Sequence, residues 1–385
     1  MTMTIRSKLP DVGTTIFTTM SRLAEEHGAV NLSQGFPDYP CDPALAEALA
    51  TAVREGHNQY APMAGLPSLR QAIVGKLLLQ HGATFDPDQE ITVTAGGTQA
   101  LYTAIACVLH PGDEAILLDP SYDSYGPAVA AQGARPVRLA LRPPRFSIDW
   151  EAVDRAVTPR TRLVVVNNPN NPSASVFSAA DLDALSSIAE RRDLLVLADE
   201  VYEHLVFDGL RHQSVLAHPG LRARSFAVYS FGKTFHVTGW KVGYCVAPPA
   251  LTREFRKLHQ FLVFAVNTPA QHALARQLAA PERWQGLSAF FEPKRDRLAA
   301  GLARAGFSVL PSRGTYFQLA DYSAVRNDPD DVSFARWLTE EAGVAAIPLS
   351  PFYAERPAER LVRFCFAKRD ATLDAAVERL ASLRR

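Results

Sequence analysis

Two lysines, Lys233 and Lys241, lie in a stretch of glycines, hydroxylated residues and aromatics at residues 230–244. Lysine is rarely buried, so the simplest interpretation is a pair of exposed side chains on a loop. The sequence GKT at 232–234 matches the end of a phosphate-binding P-loop, but that motif requires glycine where this chain has Ala227. A P-loop is therefore excluded, and the chemistry of the two amines depends on the residues around them.

Two further motifs carry groups that could bind a ligand, one an anion and the other a planar ring. Gly96, Gly97 and Thr98 open a predicted helix, where free backbone N–H groups and a hydroxyl form an anion site that glycine lets a ligand approach closely. The alternative is a plain turn before the helix. Tyr122 and Tyr125 follow another apolar run and could stack on a planar ring, or could simply pack between elements.

Two more motifs end in polar side chains. Asn171 lies in the sequence NNPNNPS and offers both a donor and an acceptor to a polar ligand, although the prolines alone would explain a turn. Asp199 directly follows the apolar run LLVLA. A carboxylate there should be desolvated at a cost of several kcal/mol unless a cation or strong donor faces it. The alternative is that Asp199 only caps the following turn.

Each of these motifs follows a short run rich in valine, isoleucine and leucine, and helical patterns separate the runs. Such alternation predicts an α/β fold with a mostly parallel sheet. Ligands bind beyond the carboxyl ends of the strands in such sheets, so we expect the motifs to meet there. The predicted strands are 91–94, 114–119, 162–168, 194–200, 225–231 and 241–247.

Helix starts are also readable. Ser178 is expected to cap one helix, and Asp42 followed by proline is expected to open another. After about residue 284 the pattern changes to a long helix, strand-like pieces and a closing helix, which predicts a smaller α+β domain. We therefore predict a large domain at 46–284 and a small domain formed by 1–45 and 285–385.

The strand ends together offer an anion cradle, a stacking ring, a desolvated carboxylate and a lysine amine. A lysine held in such a site loses part of its preference for the charged form and becomes a nucleophile able to form a Schiff base. This set matches pyridoxal 5'-phosphate (PLP), with its phosphate in the cradle, its pyridine nitrogen at the carboxylate and its aldehyde at the lysine.

The same residues show a family resemblance. The motifs GGT, PSYDSY, NNPNNP, ADEVYE and SFGKTFHVTGWKVGY, in this order, resemble those of fold-type I, class I/II aminotransferases, and the similarity covers nearly the whole chain. Within that family the chain is most similar to the methionine aminotransferase branch, related to the kynurenine and glutamine transaminases, through NLSQGFPDY, NQYAPMAGL, VNTPAQ, GVAAIPLS and RFCFAK. The resemblance implies a PLP-binding domain with a seven-stranded sheet and a homodimer.

The resemblance also implies a role for each site residue. Lys233 would form the Schiff base and carry the proton between the substrate and the cofactor, and Asp199 would keep the pyridine nitrogen protonated. Tyr202 and Asn171 would contact the phenolic oxygen of the cofactor, and Tyr122 would stack on its ring. The phosphate would be held by Gly96, Gly97, Thr98, Ser230 and Lys241, with Tyr60 reaching in from the partner subunit.

For the substrate, the resemblance implies that Arg363 clamps the α-carboxylate through a bidentate fork, with help from Asn171 and the backbone of Gly35. Two departures from the commonest family pattern stand out. Lys241 replaces an arginine, and Ser173 with the following alanine replaces Thr-Gly. The side-chain end of the site is expected to be apolar, formed by Ile16, Phe17, Phe36 and Phe264.

The amino-acid composition limits the binding partners, metal sites and cellular location that can be expected. Forty basic and forty acidic residues cancel, so neither nucleic acid nor an anionic membrane surface is expected as a partner. The four cysteines are scattered without metal-ligand spacing, which predicts no metal site and favours the reducing cytoplasm. The amino-terminal residues lack a secretory signal pattern, and no run is apolar enough to span a membrane.

The leading prediction is a homodimeric, PLP-dependent aminotransferase that moves the amino group of methionine, or of other large uncharged or aromatic amino acids, to a 2-oxo acid. The first alternative is a PLP-dependent cysteine-S-conjugate or cystathionine β-lyase, which would use the same Lys233 and Asp199. The second is an inactive fold of this type serving as the effector module of a transcription regulator. That module follows a DNA-binding domain, and only about 30 residues precede the first family motif here.

Overall fold

The structure, a computed structural model, describes residues 5–327 and 330–384. Within these residues the chain forms fourteen α-helices and thirteen β-strands. The helices are α1 (Ile16–Glu26), α2 (Pro43–Arg54), α3 (Pro67–His81), α4 (Gly97–Val108), α5 (Tyr125–Ala131), α6 (Trp150–Ala156), α7 (Ala179–Arg191), α8 (Pro219–Arg222), α9 (Phe231–Thr234), α10 (Pro249–Leu262), α11 (Thr268–Leu278), α12 (Leu287–Ala305), α13 (Asp331–Glu340) and α14 (Asp370–Ala381). The strands are β1 (Val30–Asn31), β2 (Ile91–Thr94), β3 (Glu114–Asp119), β4 (Arg135–Ala140), β5 (Thr161–Asn167), β6 (Leu195–Asp199), β7 (Ser225–Ser230), β8 (Gly243–Val246), β9 (Ser308–Val309), β10 (Phe317–Asp321), β11 (Val344–Ala345), β12 (Ile347–Pro348) and β13 (Leu361–Cys365).

The largest sheet among the described residues has seven strands in the order β2-β8-β7-β6-β5-β3-β4. The strands from β7 to β4 pair in parallel, whereas β8 is antiparallel to both of its neighbours. The prediction of a mostly parallel sheet is therefore confirmed. Parallel neighbours require crossover connections, and these bring successive strand ends to the same edge of the sheet.

Both faces of this sheet are buried, as the continuous apolar runs predict. In β5, Leu163 and Val165 pack into a cluster with residues of α4 and α5. Their neighbours Val164 and Val166 point the other way and join the larger core that extends through the rest of the chain. Side chains alternate between faces along a strand, so each strand contributes to two cores and the sheet is held rigidly between helix layers.

The predicted helix starts are present. The Ser178 side chain accepts a hydrogen bond from the backbone N–H of Asp181, and the Asp181 carboxylate accepts one from the backbone of Ser178, which forms a capping box at α7. The Asp42 carboxylate caps α2, with proline at the first helical position. Both caps satisfy N–H groups that a helix start leaves unpaired.

One strand of the large sheet was not predicted, and one local expectation is wrong. The unpredicted strand, β4, has no apolar run. It lies at the edge of the sheet, where Arg138 and the proline of RPVRLA are tolerated. Lys241 does not begin a strand. It has left-handed backbone angles (φ 53°, ψ 49°) just after a short 3₁₀ turn at Thr238–Trp240, and β8 begins only at Gly243.

The remaining strands form two smaller sheets. One is antiparallel with the order β12-β13-β10-β9, and the other pairs β1 in parallel with β11. Helices α12 and α14 pack against each other beside these strands. Strand β13 therefore lies between β10 and β12, and this arrangement places Arg363 in the middle of the four-stranded sheet.

Candidate active site

A cavity of about 340 Å³ lies beyond the carboxyl ends of the parallel strands, where α/β sheets bind ligands. Its walls come from the segments that follow β1, β2, β3, β5, β6 and β7, together with α1, β10 and β13. Twelve of the thirteen predicted site residues line it. They are Gly35, Gly96, Gly97, Thr98, Tyr122, Asn171, Asp199, Tyr202, Ser230, Lys233, Lys241 and Arg363.

Lys233 reaches the cavity from α9, the single helical turn that follows β7. Its Nζ donates to the hydroxyl of Tyr316 at 2.9 Å and to the carbonyl oxygen of Gly35 at 3.2 Å. Loss of hydration on burial lowers the pKa of this amine to about 8. An amine with that pKa is neutral in a sizeable fraction of molecules near neutral pH, as a nucleophile or base requires.

Asp199 ends β6 and is only 4% exposed. Its Oδ2 accepts a 2.5 Å hydrogen bond from the hydroxyl of Tyr125, and its Oδ1 accepts one from the backbone N–H of Val201. Desolvation raises the pKa of the carboxyl to about 6, and no cation of the described residues lies within ion-pair distance of it. A cationic group of a ligand would therefore find an uncompensated carboxylate here.

The start of α4 forms an anion cradle with Lys241. Gly96 caps this helix with φ 82°, a conformation that favours glycine, and its N-terminal turn carries no side-chain cap. A Cβ on Gly96 would lie 3.4 Å from the Lys241 amine, and a Cβ on Gly97 would lie 3.1 Å from Val201. The amine therefore lies beside the helix start. The positive φ favours glycine at position 96, and a side chain at position 97 would require Val201 to shift.

Tyr122 lines the cavity beside Asp199 and the hydroxyl of Thr98. Burial raises the pKa of its phenol, so the ring stays neutral. The ring contacts Tyr125 edge-on, with 5.8 Å between centroids. Tyr125 thus packs against the predicted stacking ring and holds the carboxylate of Asp199 at the same time.

Arg363 is 1% exposed and points into the cavity from β13. It donates to Asn171 Oδ1 at 2.6 Å and to the carbonyl oxygen of Ser33 at 3.0 Å, while its Nε has no partner. The guanidinium lies 3.8 Å from the ring centroid of Phe317, with Phe17 at 5.3 Å. No carboxylate of the described residues pairs with it, so a buried cation is left for an anionic ligand.

The glycine at position 35 is explained by crowding. A Cβ there would lie 2.8 Å from the ring of Phe317 and 3.6 Å from that of Tyr316. Without a side chain, the Gly35 backbone can enter the cavity and accept hydrogen bonds from both Lys233 and Tyr316.

Tyr60 is the one predicted site residue outside the cavity. It is 81% exposed and contacts the ring of Phe264 edge-on at 5.1 Å. The expected apolar wall is partly wrong: among the described residues Phe17 lines the cavity, but Ile16, Phe36 and Phe264 do not. Phe36 and Phe264 are instead about half exposed.

The structure also shows site residues that sequence reasoning missed. Asn167 lines the cavity and lies in the quoted NNPNNP motif, so its position at the end of β5 was a usable signal. Tyr125 is named by its motif only as a possible stacking ring, and nothing in the sequence indicates its hydrogen bond to Asp199. Tyr316 carries no signal of its own, because an aromatic residue in or beside an apolar run is normally core. Only the fold brings Tyr316 to Lys233.

The family model of class I and II aminotransferases matches residues 27–380 of this chain. The chain belongs to that family. The methionine aminotransferase of Escherichia coli (strain K12) is 54% identical over 98% of both chains. The solved structure of YbdL from Escherichia coli, identified as having a methionine aminotransferase function, superimposes with a TM-score of 0.97, at 53% identity, over 99% of this chain and 100% of that one. The structure of N-succinyldiaminopimelate aminotransferase from Mycobacterium tuberculosis gives 0.95, at 42% identity, over the same shares.

Aminotransferases of this family depend on PLP, and the cavity fits that cofactor. It offers an uncompensated carboxylate for the pyridine nitrogen, a helix start with an amine beside it for the phosphate, and a lysine for the aldehyde. The described residues contain no cluster of acidic, histidine and cysteine side chains placed to bind a metal. None of the described helices has the length and hydrophobicity needed to cross a membrane.

Proposed function

We propose that this aminotransferase takes the amino group of methionine, and of other large uncharged or aromatic amino acids, and passes it to a 2-oxo acid by a ping-pong mechanism. Its similarity to the E. coli methionine aminotransferase along almost the whole chain supports this substrate class. The similar proteins named above are aminotransferases, which does not favour the β-lyase alternative.

One observation carries the choice of substrate. Arg363 is the single arginine among the described residues that line the cavity, and the wall beside it carries the aromatic rings of Phe17 and Phe317. Arg363 would bind the α-carboxylate that every amino acid has, and Asn171 would hold the guanidinium in place. A second, distal carboxylate would then be buried without a partner at a cost of several kcal/mol. Methionine instead offers a flexible thioether that packs well against aromatic rings such as Phe17 and Phe317.

Bound PLP supplies an electron sink that makes the Cα–H bond of the substrate acidic. Asp199 would keep a proton on the pyridine nitrogen, and Lys233 would carry the proton removed from Cα. Asn171 and Tyr202 would hold the phenolic oxygen, and Tyr122 would stack on the ring. The phosphate would be held by Gly96, Gly97, Thr98, Ser230 and Lys241.

We also infer a symmetric homodimer in which Tyr60 completes the phosphate site of the partner subunit. The support is the position of Tyr60, which is exposed and contacts the ring of Phe264 on the surface. Two exposed aromatic rings in contact form an apolar patch that a partner subunit could bury. Of the predicted site residues, Tyr60 alone lies outside the cavity of its own chain, which fits a site that a second chain completes.

The domain division at 46–284 against 1–45 and 285–385 is likewise a proposal. It is supported by the strands of the seven-stranded sheet, which all fall inside the first range, and by those of the two smaller sheets, which all fall outside it. We propose the cytoplasm as the location, since the cysteines Cys41, Cys107, Cys245 and Cys365 are all free thiols.

A panel of half-reactions tests the substrate proposal. The PLP form is mixed with single amino acids while the cofactor absorbance is followed, and kcat/KM is compared. We expect methionine to exceed aspartate by at least about a hundredfold, with phenylalanine, tyrosine, leucine and glutamine between them. A preference for aspartate, glutamate or N-succinyldiaminopimelate would overturn it. Release of a thiol from cystathionine faster than transamination of methionine would favour the lyase.

A further inference from the structure

The amine of Lys233 has two hydrogen-bond partners, Gly35 and Tyr316. Tyr316 lies in none of the sequence motifs that carry the family resemblance. The Nζ of Lys233 lies 2.9 Å from the hydroxyl oxygen of Tyr316 and 3.2 Å from the carbonyl oxygen of Gly35. The Tyr316 hydroxyl is also hydrogen-bonded to the Gly35 carbonyl. The amine, the phenol and the carbonyl therefore form a closed triangle.

The direction of each hydrogen bond in this triangle follows from the donor inventory. A carbonyl oxygen only accepts, so the single hydroxyl proton of Tyr316 is donated to Gly35. The hydroxyl oxygen then presents a lone pair to Lys233, and the amine donates to both oxygens. A neutral amine that uses its two N–H groups in this way has its lone pair directed away from both acceptors.

Tyr316 cannot move easily. Its side chain is 0% exposed and its ring contacts Tyr202 and Phe317 edge-on, with centroids 5.2 and 4.9 Å away. Its carbonyl accepts from the backbone of Phe366 at 2.9 Å, and the preceding residue is tied to Leu205 by a 3.0 Å backbone hydrogen bond. The hydroxyl is therefore a fixed point in the cavity wall, unlike the lysine, which has four rotatable side-chain bonds.

We propose that Tyr316 is a positioning residue, whose hydroxyl, together with the Gly35 carbonyl, holds the amine of Lys233 whenever that amine is not bonded to the cofactor. The proposal rests on the proposed transamination, in which Lys233 must be free for part of each cycle to carry a proton. Restricting the amine to one place raises its effective concentration at the reacting carbon, and a misplacement of about 1 Å can cost about a hundredfold in rate.

Other groups that face Lys233 set the background against which Tyr316 acts. Asp199 from β6 favours the charged amine, whereas Arg363 from β13 and Lys241 disfavour it, and the Cys365 thiol also lies nearby. Tyr316 favours the charged amine by accepting a hydrogen bond from it. Loss of the hydroxyl should therefore lower the pKa of Lys233 further.

The test compares Tyr316→Phe with Tyr229→Phe. Tyr229 is also 0% exposed, but its hydroxyl donates to Glu200 outside the cavity, so it controls for loss of a buried phenol oxygen. The first readout is the rate at which apoenzyme forms an imine with added PLP, followed by absorbance as a function of pH. Only the neutral amine reacts, so the rate rises through the pKa of Lys233. We expect Tyr316→Phe to move this midpoint down by about one pH unit and Tyr229→Phe to leave it unchanged.

The second readout is the half-reaction with the best amino donor. We expect Tyr316→Phe to lower its limiting rate by about tenfold to a hundredfold with little change in the half-saturating concentration. The proposal is overturned if Tyr316→Phe keeps the wild-type midpoint and rate, or if both variants lose only thermal stability. Imine formation with PLP needs no amino acid. The first readout therefore tests the role of Tyr316 even if the proposed preference for methionine is wrong.

Discussion

The hydroxyl of Tyr125 donates a 2.5 Å hydrogen bond to Oδ2 of Asp199 in a place where neither side chain is more than 4% exposed. Burial raises the pKa of Tyr125 well above its usual value, so the phenol remains a donor at any pH the protein tolerates. The pKa of Asp199 is raised to about 6 by desolvation, and the Tyr125 hydrogen bond is the largest effect opposing that rise. The phenol therefore keeps the carboxylate both oriented and charged.

Asp199→Asn should inactivate the enzyme and yet stabilise the apoprotein. Without the carboxylate, the proton on the pyridine nitrogen is lost, and transamination should fall by about a thousandfold or more. Because the folded-state pKa of about 6 exceeds the ordinary value of 3.8, the wild-type apoprotein loses stability as pH rises from about 4 to about 6. The variant lacks this loss and should be more stable at neutral pH by up to about 3 kcal/mol.

Urea unfolding of both apoproteins at about pH 4.5 and about pH 7.5 measures this difference. Asp42→Asn is the control, since hydrogen bonds lower the pKa of Asp42 and this carboxylate is charged at both pH values, so its replacement should leave the pH dependence unchanged. Equal pH dependence in wild type and Asp199→Asn would contradict an uncompensated carboxylate.

The two lysines should separate into a covalent and an ionic role. Lys233→Ala is expected to retain PLP without a covalent bond, since the phosphate and ring contacts remain, and to lose nearly all turnover. Lys241→Ala should keep the covalent bond but weaken PLP binding by about tenfold to a hundredfold, because one charged contact is lost. Borohydride reduction followed by peptide mapping decides the matter, and a label on Lys241 would refute the assignment.

Arg363→Lys should damage recognition of the α-carboxylate specifically. Lysine supplies a point charge in place of a fork, so kcat/KM for methionine is expected to fall by about a hundredfold or more. The amine 3-(methylsulfanyl)propylamine lacks the carboxylate, and its slow reaction should be nearly unaffected. Arg295→Lys, at a residue that pairs with Asp208 outside the cavity, is the matched control. An equal loss for both compounds would mean that Arg363 supports the fold instead.

Mixed dimers test whether Tyr60 acts on the partner subunit. Tyr60→Ala and Lys233→Ala are each expected to be strongly impaired as homodimers. A hybrid of the two has one site with both defects and one site with neither, if Tyr60 serves the neighbouring chain. Unfolding and refolding an equal mixture should therefore restore activity. No gain over the unmixed variants would show that Tyr60 acts within its own chain or not at all.

The chemistry of the site could be predicted from the sequence because each strand is a compact apolar run and the polar residue after it stands out. Asp199, Lys233 and Asn171 are such residues, and the fold brings them together. The order of the strands could not be read in this way. Nor could β4, since an edge strand with arginine and proline looks like a loop.

The residues that support the chemistry were harder to find. Tyr125 and Tyr316 are buried aromatics. The sequence presents Tyr125 only as a possible stacking ring, and it does not distinguish Tyr316 from a core residue. Their hydroxyls matter only because the folded chain points them at Asp199 and Lys233. The apolar wall was predicted from aromatic residues near the family motifs. Phe36 and Phe264 are instead about half exposed, because they lie on loops, and the conformation of a loop cannot be predicted from a periodic pattern of apolar residues.

The pairing of β1 with β11 has a consequence for biosynthesis. Val30 and Asn31 leave the ribosome early, but their partners Val344 and Ala345 are made near the end of translation, after every strand of the seven-stranded sheet. The nascent chain can therefore assemble the half of the cavity that faces the cofactor while Arg363 is still unsynthesised. Among the described residues that line the cavity, Arg363 is therefore the last to be made, after all the residues that would hold PLP.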